Sequence, residues 1–308
     1  MSPHAPALST ARQHLYTPED LYDGLVVGEP HTWLHTPDWV TYVAAHSKQI
    51  PSKDIALHDA AINDAVAEAT APRDVVGIMG GHRTRRDSNV YAATIELARE
   101  LTRAGRLVAT GGGPGAMEAA HAGASSAADP DQFRSELTEL VARHTARFPR
   151  EAAAEISRGT VDPWALEAIT TWAAPAFALR EASRGSAPES LAVPTWHYGH
   201  EPTTPLAPRI AKYFQNSLRE DGLLAFATAG VVFLPGGPGT LQEVFQDLAQ
   251  NVYRSFGVFS PMVFFNVDRF WTEQVNVMPL LRAVAGDHDV SQFVLVTDSV
   301  AEATHFLI

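Results

Sequence analysis

A single carboxylate follows a glycine-rich turn in the stretch FLPGGPGTLQEVFQD at residues 233–247. An apolar run ends at Pro235, and Glu243 comes three residues after Thr240. Between them lie three glycines, Gly236, Gly237 and Gly239. Glycine at a strand end lets the backbone approach a ligand, and the start of the next helix offers N–H groups to a phosphate. The stretch therefore predicts a phosphate-binding turn with one acid beside it.

Two other predicted strand ends carry similar glycines, in GIMGGHR at 77–83 and TGGGPGAME at 110–118. Any one such loop is also explained as a plain strand-to-helix turn. Ligands of open parallel sheets bind outside the carboxyl ends of the strands, so three such loops in one sheet predict a shared site. Its candidate residues in the first two loops are Gly80, Gly81, His82, Arg83, Gly112, Gly113, Gly115, Met117 and Glu118. We expect Gly115 and Gly239 to reject a bulky side chain.

The elements that must position these loops alternate along the chain. Short apolar runs predict strands at 75–80, 107–110, 191–196, 231–234, 262–267 and 293–297. Helical patterns lie between them at 89–104, 115–127, 210–227, 240–253 and 270–285. The alternation predicts an α/β fold with a doubly wound, Rossmann-like parallel sheet.

The chain also contains segments outside this alternation. Residues 1–71 are predicted to form a helical N-terminal extension, anchored by aromatic side chains. Residues 72–308 are predicted to form the Rossmann-like nucleotide-binding domain. The Ala-, Glu- and Arg-rich stretch at about 128–189 is interpreted as a helical insertion within that domain.

Composition limits the classes of partner. The 308 residues carry a net charge of −12 and include no cysteine, which excludes disulfides and thiolate metal sites. Acidity disfavours binding to nucleic acid and to anionic membranes. No apolar run approaches 18 residues and no secretory signal is visible, so we expect a cytoplasmic location. An anionic ligand needs local positive potential, to which Arg83, Arg85 and Arg86 could contribute.

The glycine loops do not fit the commonest nucleotide fingerprints. Neither 77–83 nor 110–118 has the full G-x-G-x-x-G spacing of dinucleotide sites. No lysine lies near any glycine loop, as a Walker A loop requires. These departures favour a mononucleotide or a sugar phosphate as ligand.

Two long motifs, GGGPGAMEAAHAGA and PGGPGTLQE, resemble the paired signatures of the LOG family, long labelled possible lysine decarboxylases. MGGHR together with GPGAMEA is more similar still to bacterial pyrimidine/purine nucleotide 5′-monophosphate nucleosidases. The resemblance covers about 72–127 and 190–307. It implies a cofactor-free hydrolase that cleaves nucleoside 5′-monophosphates to free base and ribose 5-phosphate. It also implies a homodimer or higher homo-oligomer.

The resemblance suggests roles for particular residues. Cleavage of an N-glycosidic bond develops positive charge on the sugar, which a carboxylate near C1′ stabilises, and we assign this role to Glu243. Arg219 best matches the catalytic arginine of the family, although Glu220 stands where small members carry lysine; Arg209 is a second candidate. Glu118 is a weaker candidate for ribose contact. Thr240 and Glu243 also fit a capping box at the helix start, which the resemblance makes the less favoured interpretation.

Other functions compete with this interpretation. The fold can bind a nucleotide without reacting, as a sensor or carrier. A pyridoxal phosphate decarboxylase would need a lysine in the pocket, and Lys48, Lys53 and Lys212 all lie away from the glycine loops. His197 and His200 suggest a metal only weakly, because no third ligand is evident, and we expect no metal site.

Overall fold

A computed structural model describes residues 6–10, 12–128, 137, 147–157, 161–185, 187–198, 201–255, 257 and 259–308. Within these ranges, no helix combines the length and the apolar character needed to cross a membrane.

The centre of the fold is one sheet of seven parallel strands in the order β4-β3-β2-β1-β5-β6-β7. The strands are β1 Val75–Met79, β2 Leu107–Thr110, β3 Ser190–Ala192, β4 Arg209–Ile210, β5 Gly230–Phe233, β6 Met262–Phe265 and β7 Val294–Thr297. Most of their side chains are apolar on both faces because helices cover both sides of the sheet. In β1, Val75 and Met79 pack into one core and Val76 and Ile78 into the other. The predicted doubly wound, Rossmann-like α/β fold is confirmed.

The direction of winding reverses between β1 and β5. Strands β2, β3 and β4 are added on one side of β1, and β5, β6 and β7 on the other. A crevice opens at the carboxyl ends of the two strands that flank such a reversal. Backbone hydrogen bonds hold the two loops there together, from Leu234 N to Met79 O at 2.9 Å and from Gly81 N to Pro235 O at 3.2 Å.

The helices fall into three groups along the chain. The N-terminal extension contains α1 Pro18–Tyr22, α2 Pro37–His46 and α3 Ser52–Thr70. Between β2 and β3 lie α5 Ala116–Ser125, α6 Arg150–Ser157 and α7 Pro163–Ala182. The remaining sheet connections and the C-terminus contain α4 Asn89–Arg103, α8 Asn216–Phe226, α9 Pro238–Tyr253, α10 Val277–Ala285 and α11 Val300–Leu307. Within the proposed insertion at 128–189, residues 129–136, 138–146, 158–160 and 186 lie outside the described residues.

Two predicted helices differ from the structure. The helix predicted from residue 210 begins only at Asn216, because Ile210 instead pairs with Ala192 as part of the edge strand β4. This strand also accepts a backbone hydrogen bond from Tyr16 of the extension, a long-range contact that no local pattern reveals. The helix predicted for 270–285 is divided into a π turn at Phe270–Gln274 and α10. Helix α11 was not predicted.

Candidate active site

One cleft of about 710 Å³ opens at the carboxyl ends of β1 and β5, where the three glycine loops meet. Most of the predicted site residues line it, namely Gly80, Gly81, His82, Arg83, Gly112, Gly113, Met117, Arg219, Gly236, Gly237, Gly239, Thr240 and Glu243. Gly115 and Glu118 do not line it. The loops converge because the parallel strands present their carboxyl ends on the same edge of the sheet.

The third glycine loop places the start of α9 at the cleft. The helix begins at Pro238, with Gly237 as its N-cap and no side-chain cap. Proline suits this position because its missing N–H would have no helical partner. A Cβ added to Gly237 or Gly239 would meet only open space, so both positions border the cleft without crowding. The N–H groups of this first turn are available to an anion.

Because α9 begins at Pro238, Glu243 is too far along the helix to act as a capping residue. Glu243 is the sixth residue of the helix and lies in its second turn. Thr240 is the third residue rather than the N-cap, so the capping-box interpretation is wrong. With no capping role, the Glu243 carboxylate lines the cleft and makes no hydrogen bond or ion pair with any described residue.

The environment of Glu243 favours the protonated form of its carboxyl group. The side chain is half-buried. Burial raises the pKa of Glu243 from 4.5 to about 7; the charge of Arg219 lowers it and that of Glu220 raises it. A carboxyl group with this pKa exchanges protons near neutral pH, as a general acid or base must.

Arg219 reaches the cleft from the first turns of α8. Its Nε donates to the carbonyl oxygen of Val193 at 2.8 Å, just beyond β3, and its Nη1 lies 3.5 Å from Glu220 Oε1. A side chain at Gly111 would overlap Arg219 Nη2, so this glycine makes room for the guanidinium rather than for a ligand. Three elements thus fix the arginine in one orientation at the cleft.

Gly115 does not line the cleft but allows the second glycine loop to pack against the first. Its φ of 73° is unfavourable for other residues, and a Cβ there would lie 2.6 Å from Gly81 O. The following residue, Ala116, donates its N–H to the same carbonyl at 3.2 Å. The second glycine loop therefore packs directly on the first. Met117 covers the start of α5, and its sulfur lies 3.4 Å from Gly113 N.

Glu118 points away from the cleft into the protein interior. Its two carboxylate oxygens accept from Nε and Nη2 of Arg86 at 2.7 and 2.8 Å, and Tyr91 donates to Oε1 at 2.7 Å. The side chain is 1% exposed. Arg86 also donates to the carbonyl of Trp172 at 2.8 Å and lies over its ring. The structure thus gives the predicted ribose contact of Glu118 no support.

Of the other arginines named from the sequence, some line the cleft and some do not. Arg83 lines the cleft. Arg85 forms a two-pronged pair with Asp87 at the surface, at 2.8 and 2.6 Å. Arg209 pairs with Glu189 at the edge of the sheet. Of the two candidates for the family arginine, Arg219 is the one at the cleft.

Several lining residues were not predicted as part of the site. They are Ile78, Met79, Thr84, Gly111, Pro194, Thr195, Tyr198, Glu201, Glu220, Pro235 and Pro238. Glu201 adds another acid: burial raises its pKa, while His82, Arg150 and Arg219 lower it. Pro194 to Glu201 belong to the connection between β3 and β4, which has no glycine motif. Only the polar string WHYGHE at 196–201 could have drawn attention to it.

The N-terminal extension supports the helix that carries Arg219. Asp59 of α3 accepts from the backbone N–H groups of Phe214 and Gln215, at 3.0 and 2.9 Å, just before α8 begins. His58 lies 2.9 Å from the same carboxylate and 2.8 Å from the hydroxyl of Tyr16. A buried acid of the extension thus holds the start of α8.

A second acid of the extension fixes the connection between β3 and β4. Asp38 Oδ1 accepts from Trp196 Nε1 at 2.8 Å and from Lys212 Nζ at 2.5 Å. Lys212 also donates to Thr203 Oγ1 at 2.8 Å. The lysine is buried, which lowers its pKa, and it does not line the cleft. Its role is to bind the extension to the domain.

Metal binding receives no support from the described part of the chain, where no group of three or more His, Asp or Glu side chains is arranged to hold an ion. His197 is exposed, and His200 lies outside the described residues.

Comparison with known proteins gives one family. The family model described as possible lysine decarboxylase matches residues 185–306, from just before β3 to α11. The matched region includes Arg219, the third glycine loop and Glu243. It confirms the resemblance drawn from the PGGPGTLQE motif. No curated protein matches the chain.

Proposed function

We propose that the protein hydrolyses the N-glycosidic bond of nucleoside 5′-monophosphates. The proposal starts from the match of residues 185–306 to the model of the possible lysine decarboxylase (LOG) family. The products are a free base and ribose 5-phosphate. The observation that carries the proposal is that one cleft holds three features: an unpaired Glu243, the fixed guanidinium of Arg219 and the open first turn of α9. No cofactor is required.

Each feature has a part in this chemistry. The 5′-phosphate binds to the N–H groups at the start of α9, between Gly237 and Thr240, where the helix dipole favours negative charge. As the bond between C1′ and the base breaks, its electron pair leaves with the base and the ribose ring becomes positive. The Glu243 carboxylate stabilises this charge and accepts a proton from the attacking water, whose oxygen bonds to C1′. The departing base takes up a proton from solvent at the nitrogen that was bonded to C1′ and so leaves as the free base. Arg219 counteracts the burial cost of the Glu243 charge and faces the departing base.

The description of the family also raises the possibility of decarboxylation with pyridoxal phosphate. The residues do not fit that cofactor, which needs a lysine amine within the site to form its Schiff base. Lys212 is buried against Asp38, and Lys48 and Lys53 are exposed in the extension.

The proposal is tested with a panel of nucleoside 5′-monophosphates and the matching nucleosides, by following release of free base by chromatography. We expect turnover of at least one monophosphate and far slower turnover of its nucleoside, because the phosphate contributes binding. Equal rates for AMP and adenosine would contradict the proposed phosphate site. Binding of monophosphates with no release of base from any would instead favour a sensor or carrier.

The resemblance also leads us to propose a homodimer or higher homo-oligomer. Light scattering after size-exclusion chromatography measures this directly. A monomer of 33.3 kDa at micromolar concentration would contradict it.

A further inference from the structure

A second, smaller pocket of about 220 Å³ lies next to the cleft and is lined almost entirely by arginine. Its lining consists of Arg83, Arg85, Arg147, Phe148 and Arg150, and we call it the arginine pocket. The function proposed above assigns it no role. Four guanidinium groups around one small concavity are unexpected in a chain with a net charge of −12.

Most of the charges of this pocket have no acidic partner among the residues that the structure describes. Arg85 is paired with Asp87, whereas Arg83, Arg147 and Arg150 form no ion pair with any residue that the structure describes. All four arginines are exposed at the protein surface, and Phe148 is buried beneath them against the ring of Trp172. Like charges held this close repel one another, so the arrangement is stabilised when an anion binds. Guanidinium groups favour phosphate because their N–H donors match its oxygens two at a time.

The arginine pocket adjoins the cleft. Arg83 lines both cavities. Arg150 lies close enough to the cleft for its charge to lower the pKa of Glu201 on the cleft wall. An anion in the arginine pocket would therefore lie beside a nucleotide bound in the cleft.

We propose that the arginine pocket binds a second phosphate group, adjacent to the nucleotide held in the cleft. This inference rests on the proposed function only for the identity of that nucleotide. The second phosphate belongs either to the same molecule, such as a nucleoside bisphosphate, or to a separate inorganic phosphate. The recognition chemistry is the same in both cases.

Calorimetric titration distinguishes the two sources. The first arm compares a nucleoside 3′,5′-bisphosphate with the 5′-monophosphate, using the Glu243→Gln variant to prevent turnover. The second arm titrates inorganic phosphate into the same protein saturated with the monophosphate. We expect tighter binding of the bisphosphate in the first arm, or a second binding event in the second arm.

The double substitution Arg147→Gln and Arg150→Gln supplies the decisive comparison. It should weaken binding of the second phosphate by about tenfold or more, because two charge-assisted contacts are lost, even allowing for solvent exposure. Affinity for the monophosphate should stay within about twofold, since neither residue lines the cleft. The matched control is Arg184→Gln with Arg282→Gln, two exposed arginines that line neither cavity, which should change neither affinity.

The proposal is overturned if the double variant leaves both arms unchanged, or if the control pair has the same effect. Loss of affinity for the monophosphate itself would also overturn it, because the pocket would then hold the first phosphate. These binding results do not depend on hydrolysis. A protein that binds two phosphates but releases no base would therefore contradict the proposed function and leave this inference standing.

Discussion

Replacement of Glu243 by glutamine separates the chemical role of this residue from any structural role. Glutamine keeps the shape of the side chain but cannot carry negative charge. Because α9 begins at Pro238 with Gly237 as its N-cap, the substitution removes no helix cap. We expect turnover to fall by about 10²–10⁴-fold, the usual contribution of a positioned acid or base.

The same substitution should lower turnover but raise the stability of the fold, and the gain in stability should depend on pH. The unfolded chain releases the Glu243 proton near pH 4.5, whereas the folded site keeps it until about pH 7. Between these values the folded state holds the extra proton, so the stability of the wild type falls as pH rises through this window. A pKa raised from 4.5 to about 7 corresponds to a cost of at most about 3 kcal/mol above pH 7. Screening at this half-buried position reduces it to about 1–2 kcal/mol.

Glu243→Gln should therefore melt about 2–4 °C above the wild type at pH 8 and at the same temperature near pH 4.5. The kcat/KM of the wild type should rise with pH through about 7, as the carboxylate ionises, and the variant should lose this limb. Glu96→Gln, at an exposed position of α4, is the matched control. A variant that turns over within a few-fold of the wild type, or melts lower at pH 8, would refute the reasoning.

Four further predictions concern two loop glycines, Arg219 and the N-terminal extension. Gly239→Val should fold normally but bind phosphate ligands at least about tenfold more weakly, because the added side chain fills open cleft space; unchanged binding would show that the loop is a plain turn. Gly115→Ala should lose about 1–3 kcal/mol of stability, measured by denaturant unfolding, because of the positive φ at this position. Arg219→Lys should lower kcat by about tenfold or more, since an ammonium cannot both donate to Val193 O and reach the cleft, and near-normal kcat would show that charge alone suffices. Asp59→Asn should lower the melting temperature and kcat together by removing about 1–2 kcal/mol at the start of α8, and an unchanged kcat would separate the extension from catalysis.

Much of the fold could be predicted because its signals are local. The apolar runs of β1, β2, β5 and β6 mark buried parallel strands, and each glycine loop follows directly from the strand before it. Strand β4 could not be predicted in this way. Its two residues carry no periodic pattern, and they form a strand only because Ala192 and Tyr16, distant in sequence, supply hydrogen bonds.

The part of the cleft wall between β3 and β4 could not be predicted from the sequence either. Tyr198 and Glu201 line it, yet the segment that carries them has neither a glycine motif nor helical periodicity. Its position depends on Asp38, which binds Trp196 across 158 positions of sequence. The same limitation applies to Asp59 and the start of α8. The extension appears in the sequence as a separate helical segment because only tertiary contacts connect it to the site.

The two glutamates that follow glycine loops show why local pattern alone cannot assign chemistry. Glu118 and Glu243 each lie shortly after a G-G-x-G motif, on the helix that the loop begins. In the structure, Glu118 receives hydrogen bonds from Arg86 and Tyr91 and is closed off from solvent. A buried carboxylate whose oxygens are already bonded to fixed partners is not open to contact with a substrate.

Glu243 has the opposite environment. No described residue donates a hydrogen bond to it, burial raises its pKa to about 7, and Arg219 acts on it through charge. Because none of the described residues uses its hydrogen-bonding capacity, it is available to water or to a developing positive charge on a ligand. The difference arises from one partner. Arg86, which lies just past the first glycine loop, reaches the Glu118 carboxylate, and no arginine of the described residues bonds in this way to Glu243. Glutamine at position 118 should therefore destabilise the fold, whereas glutamine at position 243 should stabilise it and stop turnover.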